Sequence, residues 1–371
     1  MNRKKIAYYF IMAVLLLCFV PQVTYAGKNS KTEEEMEKLV EEQLLHMSWK
    51  QKAAQMILVA APANAATIQK KYQFGGYVLF ANDFQNATPA TLKKRIQSIQ
   101  KNSNIPMLLA VDEEGGTVVR ASKYRQFRSK AYASPRYVYS LGGWKGIEQD
   151  ARSKAKFLKN LGINTNLAPV ADVAYQSSNF IYKRSFSTSA KSTSTFIKKT
   201  VTEMSKEGVV STLKHFPGYG NNGDTHTHLI HDYRSKSTFE KRDLKPFEAG
   251  IDADCDMIMV SHNIVHCFDK KNPASISKSV ISYLRDDMGY EGVVVTDSIT
   301  MAGVSKYTGS VGKSAVRAVQ AGNDLICTSE YKQTYSALIK AVQEKKISEK
   351  RLDKSVKRIL LMKYKRGIWK E

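Results

Sequence analysis

Met107-Leu108-Leu109-Ala110-Val111 is an apolar run too short for a helix, and it leads without a break into Asp112-Glu113-Glu114-Gly115-Gly116. Apolar side chains in unbroken succession, rather than at every second position, mark a strand covered on both faces, as in a parallel sheet. Acidic residues directly after such a strand are costly unless they are paired or used. The same arrangement recurs along the chain. Short apolar runs rich in β-branched residues lie at 56–59, 76–80, 163–168, 209–213, 257–260, 293–296 and 324–327, which with 107–111 makes eight. Helical stretches separate most of them: Thr88-Pro89 opens one that runs through Ile99, residues 190–206 form another stopped by Gly208, and 333–345 form a third. Eight strands alternating with helices predict an α/β fold of the (β/α)8 TIM-barrel type, a single domain over residues 47–371. An open, doubly wound sheet is the alternative.

Outward from these runs, the two ends read as helices. Residues 27–46 form an N-terminal helical extension in which Met36, Leu39, Val40 and Leu44 share one side. Ser48 with Gln51 three residues on is a capping box opening a further short helix. The basic stretch 348–367 carries Leu352, Val356, Ile359 and Leu360 at helical spacing, a stripe that suits packing against the body. No internal repeat and no Pro/Ser-rich linker divides the chain.

At 371 residues and 43% hydrophobic content, a large core is available and a disordered or collagen-like chain is excluded. Arg3, Lys4 and Lys5 precede an apolar run over 6–20, and Thr24-Tyr25-Ala26 offers a small residue for cleavage before Gly27, so residues 1–26 read as a signal peptide. The run is short for a bilayer span, which needs about 20 residues, and an uncleaved N-terminal anchor is the alternative. The expectation is a secreted, extracellular or cell-wall-associated protein. Its formal charge is +23, or +20 once the three positive charges of 1–26 are removed. For an exported protein this excess suits anionic cell-wall polymers; no nucleic-acid-binding module accompanies it, and no nucleic-acid partner is expected. Apart from Cys18 in the apolar run, the cysteines are Cys255, Cys267 and Cys327, an odd number with neither disulfide-framework nor zinc-knuckle spacing.

Reacting groups of a (β/α)8 barrel sit at the C-terminal ends of its strands. Strand three leaves through Asp112-Glu113-Glu114, strand four toward Asp172, strand five through Lys214-His215, strand six through Ser261-His262-Asn263 and strand seven through Asp297. Any one of these alone fits a structural ion pair; five around one rim are better explained by a pocket. The densest segment runs from Lys214 to Asp232, and six of the seven histidines fall between 215 and 266. Pro217, Gly218, Gly220 and Gly223 make it a loop able to turn back over the rim. Two chemistries fit it. His226, His228 and His231, with Asp224 or Asp232, are a possible divalent-metal set. Alternatively, Asp224 orients His226 as a polarised acid/base pair, which is favoured because a Gly-rich loop fixes metal ligands poorly.

These residues carry a resemblance. Lys214-His215-Phe216-Pro217-Gly218-x-Gly220 followed by Asp224-x-His226, with Asp112-x-Glu114-Gly115-Gly116-x-Val118-x-Arg120 upstream, resembles the barrel domain of glycoside hydrolase family 3, in its β-N-acetylglucosaminidase (NagZ-type) branch. Asn166-Leu167-Ala168-Pro169-Val170-Ala171-Asp172, Arg184-Ser185-Phe186 and Val295-Thr296-Asp297-Ser298 add to it, in the family's order from about residue 47 to the end. The resemblance implies a retaining exo-β-N-acetylglucosaminidase with Asp297 as nucleophile, His226 as proton donor and Asp224 as its partner. It implies sugar contacts from Asp112, Arg120, Arg184, Lys214 and His215, and no cofactor or metal. The implied substrate is a β-linked GlcNAc oligosaccharide or muropeptide. A β-glucosidase or β-xylosidase of the same family and a non-catalytic wall-binding barrel are the alternatives. The chain departs from the family pattern at Tyr219, where His or Arg is frequent, in the three-residue spacing between Gly220 and Asp224, and at Thr225 and Thr117, where Ser and Arg are usual. It also ends where many members begin a second domain, so the reading expects the proton donor on the barrel's own loop.

Overall fold

The computed structural model describes residues 32–225 and 228–370; the signal-peptide stretch and His226 lie outside them. Among the described residues, 32–38 separate from the compact unit that begins at Leu39. The first described helix, Glu33–Leu45, buries Val40 and Leu44. Ser48 caps the next, Trp49–Gln55, with both bonds of the capping box in place: Gln51 N donates to Ser48 Oγ, and Ser48 N donates to Gln51 Oε1 at 2.8 Å.

Among the described residues ten strands follow: β1 (Ile57–Ala60), β2 (Gly76–Leu79), β3 (Leu108–Val111), β4 (Thr165–Asn166), β5 (Thr212–Phe216), β6 (His231–Asp232), β7 (Met257–Val260), β8 (Ile264–Val265), β9 (Val293–Thr296) and β10 (Ile326–Thr328). One parallel sheet runs β10-β1-β2-β3-β4 and another β5-β7-β9. Two seams join them. At the first, Asn166 N donates to Val210 O at 2.9 Å and Val210 N to Asn164 O at 2.9 Å. At the second, Thr296 N donates to Leu325 O at 3.0 Å and Leu325 N to Val294 O at 3.1 Å. The ring of eight expected strands is thereby complete, while β6 and β8 pair outside it in the loops after β5 and β7.

Burial explains the unbroken apolar runs. Every residue of β2, β3, β7 and β9 is buried, because one face fills the barrel interior and the other lies under helices. Gly76 shows how tight the interior is: a Cβ there would stand 2.7 Å from the Cβ and carbonyl oxygen of Leu108. The C-terminal helix Glu349–Lys365 buries Leu352, Val356, Ile359 and Leu360, as its spacing predicts. Helices Pro89–Lys101, Ala190–Lys206 and Tyr331–Gln343 also correspond to expected stretches.

Two strands differ from expectation. The fourth is confined to Thr165–Asn166 rather than 163–168. The fifth is displaced forward, from 209–213 to Thr212–Phe216, so Lys214 and His215 are within the strand rather than after it. Hydropathy ends a strand at the first charged residue, but here the charge is matched by buried carboxylates across the barrel, and the ladder to β7 continues past it with a register shift between Lys214 and Phe216.

Candidate active site

At the C-terminal rim a cavity of about 1230 Å³ opens, and Asp112, Arg120, Arg184, Lys214, His215 and Asp297 all line it. Residues from four strand exits and the following loops thus meet at one place. The β-bulge at the end of β5 lets consecutive residues Lys214 and His215 both reach the cavity, which regular alternation would prevent.

The charged side of the cavity is a continuous network. Lys214 Nζ lies 2.8 Å from Asp112 Oδ1 and 2.6 Å from Glu114 Oε1. Arg184 grips Glu114 with both arms of its guanidinium, Nε to Oε2 at 3.0 Å and Nη2 to Oε1 at 2.7 Å. Burial would raise the Glu114 pKa, but the Lys214 and Arg184 charges and their hydrogen bonds hold it down at about 2. For Lys214, burial works downward and is outweighed by Asp112 and Glu114, so its pKa is raised and the ammonium persists. Arg184, which the resemblance places against the sugar, therefore directs its guanidinium fork to Glu114. Arg120 is different: Nη2 stands 3.7 Å from Asp112 Oδ2, and its buried Nε finds no hydrogen-bond partner among the described residues.

His215 has a defined protonation pattern. Its Nδ1 lies 2.7 Å from Asp172 Oδ2 and its Nε2 3.2 Å from Arg184 Nη2. A carboxylate only accepts and a guanidinium only donates, which assigns the proton to Nδ1 and a lone pair to Nε2. Asp172, fully buried, also accepts from the backbone N–H groups of His215 and Tyr219, at 3.1 and 2.7 Å. Asp172 is thus a support behind the cavity, an outcome its position at a strand exit left open.

Asp297 stands at the exit of β9. Its backbone N–H donates to Val260 O at 2.9 Å, and Oδ1 accepts from Ser298 N at 2.7 Å. Behind it, His262 lies 2.9 Å through Nε2 from Ser298 O and 2.7 Å through Nδ1 from Ser275 Oγ, which braces the turn that carries the carboxylate. Buried His262 was visible in the sequence only as one polar residue of a strand exit.

The loop after β5 turns at Gly218 (φ 119°) and Gly220 (φ 58°), where a Cβ would be strained. Arg234 clamps its two ends: it bonds Gly218 O at 2.7 Å, Asp232 Oδ2 at 2.6 Å and Asp243 Oδ1 at 2.7 Å. Tyr219 packs edge-on against the His215 ring at 5.0 Å and shares a 2.6 Å hydrogen bond with Thr225, next to Asp224. Burial, and then the Asp297 charge, push the Tyr219 phenol up, so it stays protonated. Two departures from the family pattern, Tyr219 and Thr225, are therefore partners. Thr225 and His228, which flank 226–227, rest on the helix Ala302–Thr308 that follows β9: a Cβ on Gly303 would lie 2.8 Å from Thr225 O and 3.1 Å from His228 O. Of the proposed metal set, His228 is exposed and His231 is bonded to His266 across 2.9 Å.

A closed parallel barrel whose rim gathers carboxylates, a lysine and an oriented imidazole around one cavity is built as barrel enzymes build their sites. The chain belongs to glycosyl hydrolase family 3: the description of that family's N-terminal domain matches residues 48–362. Beta-hexosaminidase A of Pseudoalteromonas piscicida is 30% identical over 336 residues, 83% of this chain and 56% of that protein. The Beta-hexosaminidase of Nitrosomonas eutropha is 31% identical over 280 residues, 72% of this chain and 77% of that protein. Among solved structures, a family 3 β-N-acetylglucosaminidase from Paenibacillus sp. str. FPU-7 superposes with a TM-score of 0.80 at 30% identity, over 87% of this chain and 63% of the other. The chain therefore spans little more than half the length of some relatives it matches.

Proposed function

We propose that the protein is a retaining exo-β-N-acetylglucosaminidase acting on β-linked GlcNAc at the end of a glycan, with peptidoglycan fragments as the natural source. The observation that carries this is the Asp297 carboxylate, opening onto the same cavity as Asp112, Arg120, Lys214 and His215. Similarity to proteins named for hexosaminidase activity supports the sugar.

In this reading, a terminal sugar enters the charged side. Asp112 accepts from its hydroxyls, while Lys214 and the terminal guanidinium nitrogens of Arg120 donate to them. An Asp297 oxygen attacks the anomeric carbon as the bond to the leaving oxygen breaks, and His226 delivers the proton that oxygen needs. A glycosyl-Asp297 ester results. Water then attacks the same carbon, His226 takes its proton, and Asp297 is released. Asp224 favours the charged imidazole and orients it. The seating of Thr225, which follows Asp224 in sequence, against Gly303 in the first turn of the helix after Asp297 supports this.

The test compares Asp297→Ala and His226→Ala on nitrophenyl β-GlcNAc. Asp297→Ala should abolish turnover for every leaving group, whereas His226→Ala should recover with a dinitrophenyl group, which needs little proton assistance. Near-wild-type turnover in Asp297→Ala overturns the proposal. Chelation should leave the rate unchanged; loss of activity would return the loop histidines to a metal. We further propose export, with the positive excess holding the protein to anionic wall polymers, a binding that should weaken steeply between low and physiological salt.

A further inference from the structure

The cavity is divided by charge. Asp112, Lys214, Arg184 and Asp297 belong to one side, at the exits of β3, β5 and β9 and the loop after β4. The opposite wall, from the exits of β10, β1 and β2, presents Ala60, Ala61, Ala63, Phe80, Asn82 and Ser329. Two ionic residues reach this wall, Asp83 and Arg95, and each is already engaged. Arg95 Nη1 pairs with Asp83 Oδ1 at 2.5 Å and Nη2 donates to Pro62 O at 3.0 Å, while Asp83 Oδ2 accepts from Phe80 N at 2.7 Å. The pair thus fixes the backbone that carries Phe80 and leaves its ring, 40% exposed, at the cavity.

We propose that this neutral wall is the subsite for the group on the reducing side of the scissile bond, and that it takes a second pyranose ring lying against Phe80. This rests on the glycosidase reading above and deepens it. A pyranose has an apolar face of C–H groups that covers an aromatic ring, and hydroxyls at its edge that suit the amide of Asn82 and the hydroxyl of Ser329. Recognition here is by shape and stacking, since the arginine and aspartate of the wall neutralise each other. Because the backbone of Phe80 is fixed by Asp83 before any ligand arrives, only the side-chain torsions of its ring remain to be ordered on binding.

Two substrates separate this wall from the charged side: the disaccharide N,N′-diacetylchitobiose, which fills both, and GlcNAc β-fluoride, whose leaving group is too small to reach Phe80. Phe80→Ala should lower kcat/KM for the disaccharide about tenfold, chiefly through KM, and leave the fluoride within about twofold. Phe80→Trp should restore the disaccharide. Equal losses on both substrates, or no loss on the disaccharide, overturn the assignment of the wall. A wild-type protein that hydrolyses neither substrate instead refutes the glycosidase reading, and this inference with it.

Discussion

Glu114→Gln removes one negative charge from the most enclosed part of the site while keeping the side chain's size. Glu114 is 5% exposed, 2.6 Å from the Lys214 ammonium and doubly bonded to Arg184. Its pKa falls from the ordinary 4.5 to about 2 in the fold. At about 1.4 kcal/mol per unit, the folded state prefers the ionised form by about 3 kcal/mol. Removing one member of a buried ion pair costs a similar amount, because the remaining cations lose their match. A depressed carboxyl pKa contributes stability that is complete above about pH 4.5 and is lost as the pH falls toward 2. The variant should therefore be less stable by about 3 kcal/mol at pH 7, and by roughly half that at pH 3, where the unfolded chain is protonated and the folded one is only beginning to be. Urea denaturation at the two pH values, followed by tryptophan fluorescence, measures both. A deficit below about 0.5 kcal/mol at neutral pH, or one that fails to shrink on acidification, would refute the electrostatic account of the site.

Three further outcomes are expected. Asp172→Asn replaces an acceptor that holds the His215 ring and two backbone N–H groups, and should lower kcat/KM on nitrophenyl β-GlcNAc about 10–100-fold with the fold intact by circular dichroism; an unchanged value would show that the His215 tautomer is immaterial. Gly303→Ala places a methyl 2.8 Å from Thr225 O, so the loop must shift; turnover should fall for poor leaving groups more than for good ones, and a uniform effect across leaving groups would argue against a role for the loop in protonation. Lys363 is fully buried with Gln55 Oε1 at 3.0 Å, and burial pushes its pKa down to about 7. Since its charged form is disfavoured in the fold, this lysine destabilises the protein increasingly as the pH falls from about 10.5 to 7; Lys363→Met should raise stability by a few kcal/mol at pH 7 and by less at pH 9.5 in paired denaturation curves. No gain at pH 7 would overturn that reading.

The eight apolar runs, their alternation with helices and the polar residues at their ends were legible because each is a local property: a covered strand needs consecutive apolar side chains, and a cap needs its partner three residues away. The charged residues that line the rim were legible for the same reason, as charges placed where hydropathy alone would forbid them. Their partners were not. That Lys214 is held by Asp112, 102 positions away, that Glu114 takes up the Arg184 fork, and that Asp172 stands behind His215 depend on which strands become neighbours and in what register. The same long-range neutralisation let β5 run through Lys214 and His215, where local hydropathy ended it, and the division of the cavity into charged and neutral walls follows from the order of strands around the ring. Periodicity reports how a segment meets its own surroundings, whereas electrostatic pairing across a barrel is decided only when closure brings distant segments within a few ångströms.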